Sequence, residues 1–165
     1  MKTDARSQLT TILGAYDERV AADQRALDAK RAADAAFPER FAALRAGTIR
    51  PAIQEFVEVL IGHGHEATAR EQEESSSTTG GIAFAGISLR VSPKPFAFKS
   101  TDANRNFIEV TFSANRNDRK VTVSSTSTMV TSHGSQGKIG EYEIDAMTAD
   151  VVGDHVLRTL HEALR

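Results

Sequence analysis

The chain contains no cysteine and no tryptophan. The first absence excludes disulfides, thiolate metal centres and cysteine nucleophiles, and it fits a reducing compartment. Long apolar runs are missing too: nothing approaches the roughly 18 consecutive apolar residues that a membrane span needs. The opening MKTDARSQL carries Lys2, Asp4 and Arg6 with no apolar segment behind them, so no signal peptide is expected. Charge of one sign is scarce, with a formal net of −2, which gives no pull toward nucleic acid or acidic lipid. A nucleophile elbow, a P-loop, a dinucleotide fingerprint and an HExxH helix are all lacking. Ser75 to Gly81, SSSTTGG, has the composition of a phosphate loop without its lysine. The expected setting is soluble and cytoplasmic, and abundant alanine with arginine outnumbering lysine suggests a bacterial source.

What is present describes architecture better than activity. Forty per cent apolar and 25% charged residues in a 165-residue chain suit one globular domain with an extension. Thr3 to Ala46 is rich in Ala, Arg, Asp, Gln and Leu with a single glycine, and its propensity favours helix. A 4-3 spacing from Leu9 collects Leu9, Leu13, Tyr16, Val20, Leu27, Phe37, Phe41 and Leu44 on one side, with Asp23, Lys30 and Asp34 as the exceptions. That register resembles a coiled-coil seam. Pro38 predicts a kink or a fresh start near Phe37. Gly47 reads as a helix end, and Thr48 with Pro51 as a fresh start. Ile53, Phe56, Val57, Leu60 and Ile61 then form a stripe that must be buried.

Beyond this helix the period changes to two. Glu66 to Glu74 is polar and charged, as suits an edge strand. Ser75 to Gly81 reads as a flexible loop. Ile82 and Phe84 are out of phase with Ile87, Leu89 and Val91, which calls for a bulge near Gly86. Ile108, Val110, Phe112 and Ala114 alternate with polar neighbours, a half-buried strand. Asn115 to Asp118 predicts a hairpin turn. Val121, Val123 and Met129 mark the returning strand, with Ser125 and Ser127 small enough on its inward side for a helix to approach. Thr148 predicts an N-cap and Asp150 a favourable first-turn charge for a final helix buried through Val152, His155, Val156, Thr159, Leu160, Ala163 and Leu164.

The strands follow one another without a βαβ rhythm, so the expected fold is α+β: a long N-terminal helical arm, an antiparallel meander and a C-terminal helix on the sheet. The expected division is 1–47 for the arm and 48–165 for the α+β domain. Within the latter, a helix is expected at 50–61, strands at about 66–74, 81–91, 107–114, 119–131 and 139–144, and a helix at 149–164.

Two clusters carry chemistry. Ile61-Gly62-His63-Gly64-His65 places His63 and His65 two apart, so they could share a metal with Glu66. A zinc site needs further ligands, from His133, His155 or His161, and the last two stand roughly 240° apart around a helix. A simpler reading lets a glycine end the helix, with His63 beside its partially negative C-terminus. The second cluster, Arg105, Arg116, Arg119 and Lys120, lies near turns and could straddle phosphates, although charged hairpin tips are commonly just solvated.

The functional expectation is a non-enzymatic interaction or scaffold protein. It pairs as a homodimer through Leu9, Leu13, Tyr16, Val20 and Leu27 and presents its sheet to a protein partner. No cofactor, membrane or catalytic residue is assigned, and metal stays with the weak candidates His63 and His65. The alternatives are a ligand- or metal-dependent enzyme built on His63, His65 and Glu66, and nucleic-acid binding through 104–120.

Overall fold

In a computed structural model, which describes residues 3–76, 78, 80–94, 106–129 and 136–165, the chain is α+β. It begins with helix α1 (Thr3–Leu44), continues through a π-helical turn (Arg45–Ile49) and runs on as α2 (Arg50–Gly62). The break expected at Gly47 and Thr48 does not occur. Leu44, Ile49 and Arg50 all hold right-handed helical dihedrals, and Ile49 makes no side-chain cap bond. The reason is burial. Ile49 is fully buried and Arg45 nearly so, and the wider turn keeps both on the inward side. Pro38 lies inside α1, so the helix does not restart there.

Two compact units divide the chain between Phe37 and Pro38. The division precedes the expected one at 47/48 because Phe41, Arg45 and Ile49 are already core residues of the second unit. The first unit, Met1–Phe37, is helical wherever it is described.

In the second unit, Pro38–Arg165, α2 leads into strands β1 (Glu66–Gln72), β2 (Ser75–Ser76), β3 (Ile82–Ala83), β4 (Gly86–Ser92), β5 (Ile108–Asn115), β6 (Lys120–Ser127) and β7 (Gln136–Glu143). A 3-10 turn (Ile144–Ala146) precedes α3 (Ala149–Ala163). The main sheet runs β1-β4-β5-β6-β7, antiparallel throughout. β2 and β3 form a separate two-stranded ribbon. That ribbon replaces the bulge expected near Gly86: Ile82 and Ala83 pair with Ser76 and Ser75, and the main sheet resumes at Gly86. The phase conflict is therefore resolved by leaving the sheet.

Alternation along β4 and β5 sets the core. Leu89 pairs with Val110 and Ile87 with Phe112, and Val123 faces Phe112 from the other side; all five are at most 1% exposed. α2 and α3 pack on this face. Ser125 and Ser127 stand opposite Val110 and Ile108 on β6, where α3 also makes contact. α3 starts as its sequence indicates: Thr148 Oγ1 accepts from the Val151 N–H at 3.3 Å, and Asp150 sits in the first turn. Ile61 departs from the expected buried stripe and is exposed, whereas Ile53 and Val57 are buried. His133, named as a further metal ligand, lies outside the described residues.

Candidate functional site

Within the first unit, Leu9, Leu13, Tyr16, Val20 and Leu27 lie on an unbroken helix and are 44–53% exposed. Ile12, which the 4-3 count passes over, is more exposed still at 64%. It flanks the seam between Leu9 and Tyr16, one turn from each. The C-terminal part of the expected seam behaves otherwise: Phe37 and Phe41 are buried. The ribbon available to another molecule is therefore its N-terminal part. Local polar bonding supports the helix without covering that ribbon. Thr10 and Thr11 donate to the carbonyls four residues back, Gln24 donates to Asp28 at 2.9 Å, and the Arg19 guanidinium lies 5.5 Å from the Tyr16 ring centre.

The glycines of IGHGH end a helix. Gly64 adopts φ +80°, its N–H donates to Ile61 O at 2.8 Å, and the His65 N–H donates to Leu60 O at 3.0 Å. His65 Nδ1 accepts from the Lys94 N–H at 3.1 Å, so one ring nitrogen is already engaged. His63 is exposed. Among the described residues, no group of three or more His, Asp or Glu side chains is placed to hold a metal ion.

The basic hairpin is laced to acids of its own chain. Arg116 meets Glu74 at 2.7 Å, and Lys120 lies 3.4 Å from Glu141 and 3.7 Å from Glu143. Lys138 also bonds Glu141 and, as the largest influence, holds its carboxyl below the usual carboxylate range. Asn115 ties the turn to Asp118 at 2.8 Å, and Arg119 takes φ +54°. These pairs reduce the positive charge that the tip offers to phosphates. Arg105 lies outside the described residues.

The sheet face opposite α2 and α3 is polar. Its rows follow from register: Arg70, Ser88, Thr111 and Ser124 align across four strands, and Arg90, Glu109 and Thr126 across three. Ser88 donates to Glu109 at 2.7 Å, and the Arg90 guanidinium stacks 3.7 Å from the Phe107 ring centre. A depression of about 580 Å³ opens on this face, lined by Arg70, Phe84, Ser88, Glu109, Thr111 and Ser113 among others. Its floor is flat because Gly86 has no side chain; a Cβ there would come within 3.0 Å of Phe112 O.

Two polar clusters were invisible in the sequence. Arg45 donates to Glu73 at 2.6 Å and to Gln72 O at 3.2 Å, and its Nε is buried without a hydrogen-bond acceptor among the described residues. Nearby, Arg50 donates to Glu71 at 2.5 Å, and that bond is the main cause of a lowered Glu71 carboxyl pKa. On α3, His155 is buried between Tyr142 Oη at 2.7 Å and Arg158 at 3.2 Å. Arginine can only donate, so Nδ1 accepts and Nε2–H donates to the tyrosine oxygen. That arrangement needs neutral imidazole. Burial, then the charge of Arg158, lowers the His155 pKa against the opposing pull of Asp154.

Comparison with protein-family models, with curated proteins and with solved structures finds no match. Function therefore rests on the geometry above. Among the described residues, no helix is long and apolar enough to cross a membrane.

Proposed function

We propose that this chain is a non-enzymatic scaffold that self-associates through the N-terminal part of α1 and offers the polar face of its sheet to a protein partner. The observation that carries the reading is the exposed set Leu9, Ile12, Leu13, Tyr16 and Val20 on one described helix. A clustered apolar ribbon of this kind marks an association surface, whereas scattered apolar residues would need no explanation. A closed two-fold pair is the commonest way to cover such a ribbon. The sheet face supports the second half of the proposal, because Arg70, Glu109 and the surrounding hydroxyls supply donors, acceptors and both charges around one hollow.

The test is sedimentation of the full chain over a concentration series, beside the double variant Leu13→Ser, Tyr16→Ser. Both side chains are about half exposed, so their loss spares the folded unit while removing the centre of the ribbon. The parent is expected to dimerise with rising concentration and the variant to stay monomeric. A parent that remains monomeric at several hundred micromolar overturns the reading.

A further inference from the structure

The pattern of charges along α1 fixes how two copies would meet. On the reading that this helix self-associates, we infer that the second copy lies antiparallel, in the register that sets Leu9 against Val20 and Leu13 against Tyr16, with Arg6 facing Asp23 at each end. In the 4-3 pattern Arg6, Leu13, Val20 and Leu27 occupy one seam position and Leu9, Tyr16, Asp23 and Lys30 the other. An antiparallel pair brings the first kind against the second.

A parallel pair and an antiparallel pair shifted toward Leu27 fail on charge, and a shift the other way sets Tyr16 against Arg6 and leaves Val20 without an apolar residue opposite it. A parallel pair stacks Arg6 on Arg6, Asp23 on Asp23 and Lys30 on Lys30, like on like at the seam. An antiparallel pair shifted by one heptad, with Leu9 against Leu27, places Leu13 against Asp23 and Arg6 against Lys30. Its flanks also set Arg19 against Arg19 and Asp17 against Asp17 across the two-fold axis. In the inferred register those flanks become Ile12 with Arg19 and Asp17 with Thr10. The arginine stem then covers the apolar side chain, and the two Asp17 carboxylates no longer face each other. Arg6, Thr10, Asp17, Arg19 and Asp23 are all exposed, as this pairing requires.

The size is consistent with a pair of helices. Leu9, Ile12, Leu13, Tyr16 and Val20, each 45–64% exposed, would contribute on the order of 1,000 Å² over both copies, near the boundary between transient and stable interfaces. A dissociation constant in the micromolar range is expected. Leu27 lies one layer beyond the Asp23 pair and adds little.

The chain has no cysteine, so single spin labels can be placed at will. Thr11, Glu18 and Arg25 recur at seven-residue intervals on the outer side of α1 and are exposed. In the inferred register, labels at 11 and at 18 each separate by about 10 Å along the axis and labels at 25 by about 32 Å, at 1.5 Å per residue. Equal interlabel distances at 11 and 18 with a longer one at 25 are therefore expected from pulsed dipolar spectroscopy. Three equal distances mean a parallel pair, and a shortest distance at 18 with 11 equal to 25 means the shifted register; either overturns the inference while leaving self-association standing. A monomer in sedimentation overturns both. Charge reversal gives a second readout: Arg6→Asp and Asp23→Arg are each expected to weaken dimerisation roughly tenfold, and the double variant to restore it. Absence of that restoration sinks the register.

Discussion

Replacing Arg45 separates packing from charge in the turn that joins α1 to α2. Its side chain is only 10% exposed, whereas its closest ionic partner, Glu73, is 75% exposed. The pair with Glu73 is thus heavily screened and is worth about 0.5 kcal/mol. The bond to the Gln72 carbonyl is charge-assisted and contributes about 1.5 kcal/mol. The buried aliphatic stem adds roughly 2 kcal/mol at about 0.8 kcal/mol per methylene. Against these stands the Nε hydrogen, which lacks an acceptor among the described residues and lies 3.9 Å from Glu71; its desolvation costs about 1 kcal/mol. Arg45→Ala is therefore expected to lose about 3 kcal/mol. Arg45→Met keeps the stem and sheds the unsatisfied donor, so it should lose only about 1 kcal/mol. Urea unfolding with circular dichroism measures both, provided the slope of the transition is unchanged. A methionine variant as unstable as the alanine one would show that charge dominates, and the accounting above would be wrong. An alanine variant within 0.5 kcal/mol of the parent would refute it from the other side.

Acid should weaken the fold through His155. Its folded pKa lies below the ordinary value of about 6.5, so the unfolded chain binds the proton more readily. Its contribution is complete above about pH 6.5 and is lost as pH falls through the folded pKa; His155→Gln should flatten the dependence of urea midpoint on pH in that window, and an unaltered slope would count against it. Pro38 withholds a hydrogen bond within α1, so Pro38→Ala should raise stability by about 1–2 kcal/mol and leave helicity unchanged or higher. A lower melting temperature would mean that the ring, which is half-buried, packs more usefully than the missing bond costs.

The elements that were readable in advance are those whose signal is local. β5 alternates strictly, and its buried set Ile108, Val110, Phe112 and Ala114 is the one the period of two selects. The Asn115–Asp118 turn and the Thr148 cap depend on side chains bonding their own backbone neighbourhood. Gly47 misled because glycine before a Thr and a nearby Pro resembles a helix boundary, while the force that overrides it, burial of Arg45 and Ile49, comes from distant strands. The β2–β3 ribbon joins SSSTTGG to residues beyond it, and composition gives no hint of that pairing. The Arg45 and His155 clusters join residues far apart in sequence, which no spacing rule brings together. Ile12 was passed over because a strict 4-3 count ignores the flanks of its own seam.

The two outer strands of the main sheet differ in how they refuse a neighbour. β1 carries the charged, exposed residues Glu66, Arg70 and Glu71, which discourage an incoming strand. β7 carries a register shift where Val123 pairs with Gly140 but Ser124 with Lys138, leaving Ile139 as the surplus residue. A ladder built outward from it would lose step after a few rungs. Edge-to-edge growth of the sheet from one copy to the next is thereby disfavoured at both borders.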